Sequence, residues 1–409
     1  MCRMKSTADY QIKSGYIDDF IGSENILLVQ DLDGVCIPLV KDPLTRVINK
    51  QYVLSASLLK EKYRVLTNGE HGGRRGVNKL VENAIGSKVQ VFESKLYLPG
   101  LAAGGIQSQD NTGTIIYLGL SDKELHFLNK VPDLIREKLY RFLPSLIKDK
   151  TTKELDNLIF SAVVDTIVSP TLNLNGLFSI VKTDVEQQVE LQKIALKIMG
   201  EILNISITQG MKDSFFLHIA PNLGLNNYNN ELIKFSTQDD IGTTDIQFMV
   251  KGSVKESGLI YLINENIKHR EGFSPFGTDF SFRDLPEGVD ELVSFCTQSI
   301  SKELMPCLIG VGDTVTSQYD DNSSLWLRGG SDRGFLFLIQ ELGRSYDLPN
   351  KVLLVDSSGG EVNRPTVRQD NLTGVSDPED PLKFDFIFEG GPSEYLTFFN
   401  ELAFKSTLK

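Results

Sequence analysis

Residues 25–30 read NILLVQ and run directly into Asp31-Leu32-Asp33-Gly34. A short apolar run with no helical stripe, ending at a glycine turn, reads as a buried strand. In open parallel sheets ligands bind beyond the carboxyl ends of the strands. Asp31 and Asp33 therefore stand where chemistry is expected. The pattern recurs. RVLT at 64–67 closes on Asn68-Gly69, PCLIGV at 306–311 leads into Gly312-Asp313-Thr314, and KVLLVD fills 351–356. Helical spacing is expected over 52–63, 74–84, 331–342 and 395–405. Residues 89–98 read as strand-like, and 371–380 as a polar loop. Alternating strands and helices of this kind predict βαβ units and a parallel sheet.

The middle of the chain differs. Apolar residues recur at helical spacing over 131–146 and 184–203, short strands are expected at 215–219 and 245–250, and the stretches 169–171 and 222–230 are polar. The expected fold class is α/β. Its core would comprise residues 20–100 and 250–409, interrupted by an α+β cap over 101–249.

Composition narrows the function. The 409 residues carry 42 Lys and Arg against 54 Asp and Glu, a net charge of −12. That balance argues against a general nucleic-acid binder, which needs a basic footprint. No run of 18 or more apolar residues occurs, so no membrane span is expected. The first ten residues read as neither signal nor anchor. The four cysteines (Cys2, Cys36, Cys296, Cys307) form no CxxC, and the four histidines are scattered. A reducing cytoplasm fits, and a disulfide framework does not.

Two carboxylates at i and i+2 on a persisting strand point the same way, and their repulsion favours a cation between them. Mg²⁺ suits a carboxylate site that also holds phosphate. One carboxylate can then act as nucleophile while the other serves as acid and base. Thr67-Asn68-Gly69 can hold a phosphoryl oxygen through its hydroxyl and backbone N–H groups, or simply make a helix cap and turn. Asp313 can complete a metal shell or sit in a turn. Lys255, in GSVKESG at 252–258, can neutralise a phosphate oxygen, although a lone lysine is usually solvated.

Taken in order, a DxD element, a strand-end Thr, a Lys and an acidic strand end resemble the haloacid dehalogenase (HAD) superfamily. The insertion between Thr and Lys resembles members with a large α/β cap there. QDLDGVC at 30–36, VLTNGEHGGRRGV at 65–77, LYLPGLAAGG at 96–105, SPTLNLN at 169–175, HIAPNLG at 218–224, IGVGDTVTSQ at 309–318 and RGGSDR at 328–333 resemble the glucosylglycerol-phosphate phosphatase family of cyanobacterial salt tolerance. That resemblance implies an HAD-like Rossmannoid core and Mg²⁺-dependent removal of phosphate from glucosylglycerol phosphate, leaving an uncharged compatible solute. Asp31 would be nucleophile, Asp33 general acid/base, Thr67 the phosphoryl binder and Lys255 its charge stabiliser. Asp31, the backbone carbonyl of Asp33, and Asp313 would hold Mg²⁺.

One departure concerns the metal motif. Many superfamily members carry a second Asp four or five residues after the first, where this chain has Ser317 and Gln318. Ser317 is expected to act there directly or through water. Asn68, Glu70, His71 and Arg74 are the expected substrate-binding residues, the last three reading equally as a surface charge cluster on a helix start. Asn222 and Asp245 are cap candidates or structural residues, and Ser331-Asp332-Arg333 is a segment near the metal site or an N-cap with its first-turn charges. Partners would be a sugar phosphate and the glucosylglycerol-phosphate synthase. Sucrose phosphate or a glycosylglycerate phosphate is an alternative substrate. A silent regulator of the synthase, or a phosphomutase, is an alternative function. Retention of Asp31 and Asp33 argues against the regulator.

Overall fold

The computed structural model describes residues 7–23, 25–146, 151–181 and 184–408. Its centre is an eight-stranded sheet in the order Phe386–Phe388, Lys351–Val355, Cys307–Gly312, Ile26–Gln30, Tyr63–Leu66, Gly100–Ala102, Gln107–Gln109, Ile115–Tyr117. The first six strands are parallel, and the last two pairings, through Gln107–Gln109 and Ile115–Tyr117, are antiparallel. Ile26–Gln30 lies between a strand that follows it closely in sequence and one some 280 residues later. It is the point where the strand order reverses.

The reason this strand is central is its two apolar faces. Ile26 and Leu28 join one buried cluster, with Tyr52, Tyr395 and Phe399, while Leu27 and Val29 join another, with Ile260, Ile263, Phe335 and Ile339. Fully burying each such aliphatic side chain contributes about 1.5–3 kcal/mol. The polar end of the strand is also satisfied. Gln30 donates to the Tyr52 hydroxyl at 2.8 Å and accepts from the Tyr395 hydroxyl at 2.5 Å.

A second, four-stranded antiparallel sheet follows the order Val163–Val164, Thr171–Asn173, Asp245–Val250, Phe215–Ala220. It packs on helices Val131–Leu146 and Val185–Thr208 through a core that includes Phe127, Phe215 and Phe248, whose rings lie 5.0–5.8 Å apart. Two expectations need correction. Residues 89–98 are not a strand, because Ser87 caps a helix, Lys88–Glu93, by accepting from the Gln90 N–H at 3.2 Å. Only Val91 of that helix is buried, and the valine alternation that suggests a strand leaves Val89 exposed. Residue 63 does not close a helix either: Lys50–Leu59 ends earlier, and Tyr63 begins the next strand. The helix Thr7–Gly22 and the hairpin Thr316–Asp320/Leu325–Gly329 were not expected from the sequence.

Buried polar side chains bind the loop after Tyr63–Leu66 to its surroundings. The Glu70 carboxylate accepts from the Gln107 amide, the Ile167, Val168 and Ser169 N–H groups and the Ser169 hydroxyl, at 2.7–3.0 Å. It thereby joins the large sheet to the loop that precedes Thr171–Asn173. His71 is wholly buried, with Nε2 3.3 Å from the Gly100 carbonyl and Nδ1 3.3 Å from the Gln109 amide. Burial lowers its pKa to about 4, against a smaller opposing pull from Gly100.

Two outcomes follow from this seam. Glu70→Gln turns an NH₂ toward groups that are themselves donors, so unfolding free energy should fall by about 2–4 kcal/mol in urea titrations; a change under about 0.5 kcal/mol would contradict the arrangement. For His71, the unfolded chain takes up a proton near pH 6.5 and the folded chain only near 4. Stability therefore drops as pH falls through that window. Urea midpoints at pH 7.5 and 4.5 should show His71→Gln sparing up to about 3 kcal/mol of that loss. Equal losses in both proteins would refute it.

Candidate active site

The carboxyl ends of three adjacent strands and the starts of two helices meet at one point. Asp31 follows Ile26–Gln30, Thr67 follows Tyr63–Leu66, and Asp313 follows Cys307–Gly312. Lys255 opens the helix Lys255–Glu271, and Asp332 stands just before Arg333–Tyr346. The turn after Asp31 can pass so close only because residue 34 is glycine. Its φ is +83°, and a Cβ there would lie 2.1 Å from Asp313 Oδ2.

The Lys255 ammonium is held between Asp31 Oδ2 at 2.6 Å and Asp332 Oδ1 at 2.5 Å. Burial opposes its charge, but the two carboxylates outweigh burial and hold its pKa above the usual lysine value. Asp332 Oδ2 accepts from the Asp313 and Thr314 N–H groups, both at 2.9 Å, which fixes one acidic strand end against the other. Asp31 Oδ1 accepts from the Leu32 N–H at 2.6 Å. Burial pushes the Asp31 pKa up to about 6, with Lys255 opposing and Asp332 adding to the rise.

Asp313 is the unbalanced member. Both its oxygens are buried without a hydrogen-bond partner. Burial, then Asp332 and Asp31, push its pKa well up, against smaller pulls from the nearby Ser357 hydroxyl, which makes no hydrogen bond of good geometry to it, and from Lys255. Asp31, Asp313 and Asp332 offer oxygens within 4.8 Å of one another. Three carboxylates and one ammonium sum formally to 1 − 3 = −2. An all-oxygen donor set with that deficit fits a hard divalent cation such as Mg²⁺.

The remaining expected residues distribute as follows. The Asp33 side chain is not in the acidic cluster; Arg46 holds its Oδ2 at 2.7 Å. Thr67 is buried, and its hydroxyl helps to counter the rise in the Asp31 pKa. Asn68 Nδ2 lies 2.9 Å from His218 Nε2, whose Nδ1 lies 2.8 Å from Glu231. Asp31, Asp33, Thr67, Asn68 and Glu70 line one cleft of about 200 Å³ between the strand ends and the four-stranded sheet. Glu70 has its carboxylate committed to the seam described above. His71 and Arg74 do not line the cleft, and Arg74 pairs with Asp165 at 3.1 Å on the surface. Ser317 donates to Asp377 at 2.6 Å, and the same carboxylate binds Arg328 in bidentate fashion. Asn222 does not line the cleft; its carbonyl accepts from the Thr316 hydroxyl. Asp245 lines it.

Sequence reasoning missed Arg46, Arg75 and Arg364, which also line the cleft. Arg46 lies in LVKDPLTR and Arg364 in a polar loop, where no periodicity singles out either. Their roles depend on the long-range folding of those loops.

A family model described as glucosylglycerol-phosphate phosphatase matches residues 25–403. A glucosylglycerol-phosphate phosphatase from Synechocystis sp. is 41% identical over 392 residues, covering 93% of each chain. Among solved structures, the C-terminal domain of a C. albicans trehalose-6-phosphate phosphatase aligns over 96% of both chains at 13% identity with a TM-score of 0.46. The C-terminal domain of a Candida albicans trehalose synthase regulatory protein aligns over 95% of this chain and 97% of its own, at 12% identity and a TM-score of 0.45. With the family match running almost end to end and the sequence identity spread over nearly the whole chain, this protein belongs to the glucosylglycerol-phosphate phosphatase family.

Proposed function

We propose that this sugar-phosphate phosphatase hydrolyses glucosylglycerol phosphate to glucosylglycerol and inorganic phosphate through an aspartyl-phosphate at Asp31. The observation that carries this reading is the buried group of Asp31, Lys255, Asp332 and the unpartnered Asp313 at the strand ends. Asp31, Asp313 and Asp332 would hold Mg²⁺, joined by the backbone carbonyl of Asp33. When bound, the cation supplies positive charge that lets an anionic nucleophile meet an anionic phosphate.

The residues of the chain do the rest. A carboxylate oxygen of Asp31 attacks phosphorus, and the bond from phosphorus to the glycerol oxygen breaks. Protonated Asp33 gives its proton to that departing oxygen. Arg46 binds Asp33 Oδ2 and fixes the side chain in place. Asp33 then takes a proton from water, whose oxygen attacks phosphorus and releases Asp31. Thr67 and Lys255 hold the phosphoryl oxygens, and Lys255 also fixes Asp31 by donating to its Oδ2. The four-stranded sheet and its helices act as the cap and exclude bulk water during phosphoryl transfer.

The uncharged product suits a compatible solute in salt tolerance, with the glucosylglycerol-phosphate synthase as the preceding partner. A cytoplasmic setting is supported by the free thiols of Cys36, Cys296 and Cys307, and among the described residues no helix is long and apolar enough to cross a membrane.

Phosphate release from glucosylglycerol phosphate tests the reading. Wild type should turn over with Mg²⁺ and stop in EDTA. Asp31→Asn, folded by circular dichroism, should lose at least about a thousandfold. Much faster hydrolysis of sucrose phosphate would reject the substrate, and retained activity in Asp31→Asn would reject the nucleophile.

A further inference from the structure

The cleft has a second wall that phosphate chemistry does not use. Asn173 faces Asp245 and Thr171 faces Gln247 across two paired antiparallel strands. Side chains two residues apart share one face of a strand, so these four form one polar patch, and all four line the cleft. The opposite face carries Leu172, Ile246 and Phe248 into the cap core. Arg75 and Arg364 line the same cleft.

Several buried polar atoms in this set have no hydrogen-bond partner within the chain. They are Nη1 and Nη2 of Arg75, Nε of Arg364 and Oε1 of Gln247. Arg75 is otherwise fixed, with Nε on Asp165 at 3.1 Å and Nη1 4.0 Å from Asp42. Arg364 is held by the Gly242 carbonyl at 2.8 Å and the Thr244 hydroxyl at 3.2 Å. Leaving such groups unpaired is costly, and an occupant with the right chemistry removes that cost.

The unpaired set contains both donors and an acceptor. A carboxylate or phosphate only accepts, so it can satisfy the guanidinium nitrogens but not Gln247 Oε1, and it would meet the Asp245 carboxylate. An apolar group satisfies none of them. A hydroxyl both donates and accepts. The geometry points to this wall as the site that reads the sugar: Gln247 and Arg75 are specificity-determining residues for an uncharged, hydroxyl-rich leaving group. The inference rests on the phosphatase reading above and assigns the part of the site that selects among phosphate esters.

The test compares glucosylglycerol phosphate with p-nitrophenyl phosphate, an ester without hydroxyl groups, in wild type, Gln247→Leu and Arg75→Met with Mg²⁺. The readout is the ratio of kcat/KM for the two substrates, from which any loss of folded protein cancels. Wild type should favour the sugar ester, and each variant should lower the ratio by at least about tenfold. An unchanged ratio in both variants, with the two substrates affected equally, would overturn the inference while leaving the phosphatase reading intact. A wild type that favours a glycerate-bearing ester over the glycerol ester would also overturn it. Failure of the underlying reading looks different: wild type would release no phosphate from the sugar ester, and the inference would fall with it.

Discussion

Three carboxylates and one ammonium are buried together where the central strand ends, and the fold is arranged around keeping them there. Buried ion pairs are weak sources of stability, because desolvating the charges offsets their attraction. Asp31, Lys255 and Asp332 satisfy one another, but Asp313 is left with two unpartnered oxygens beside two like charges. A hydrophobic replacement would be easier to fold. Its place at a strand-order reversal, beside the cleft that Asp31 lines, suits a site whose charge is balanced by something that binds.

The surrounding packing serves that arrangement. Gly34 lets the turn after Asp31 lie against Asp313, and Asp332 fastens the Asp313 and Thr314 backbone. On the far side, Glu70, Arg75 and Arg364 each bind the core to the cap, through Val168 and Ser169, Asp165, and Gly242 with Thr244. The strand ends thus gather the carboxylates and the ammonium, while the four-stranded sheet presents a polar wall to the cleft that Asp31 lines. In the proposed reading, selectivity and bond breaking fall to separate elements that meet at the cleft Asp31 lines.

How much of this can be read from residues alone depends on the range of the interaction. The run NILLVQ before Asp31 announces a two-faced strand, because Ile26, Leu27, Leu28 and Val29 need cover on both sides. The same logic exposes Thr67 and Asp313 at neighbouring strand ends. The place of Asp332 beside Asp313 is harder to read. It requires the chain to run out along Thr316–Asp320 and back along Leu325–Gly329, and that hairpin has no apolar alternation to reveal it. Glu70 and His71 look like site residues because they follow a strand end. Their partners Gln107, Gln109 and Ser169 lie far along the chain, and only the folded structure shows the side chains turned into the seam. Residues 89–98 show the opposite failure, where a local valine alternation was outweighed by a serine cap.

The central claim is that the carboxylate cluster is a divalent-cation site centred on Asp313. Thermal unfolding of wild type and Asp313→Asn, each in EDTA and in excess Mg²⁺, addresses it without reference to turnover. The account predicts that Mg²⁺ raises the wild-type Tm by several degrees and leaves the variant nearly unmoved, and that the variant is at least as stable as wild type in EDTA. Equal Mg²⁺ shifts in the two proteins, or no shift in wild type, would contradict it.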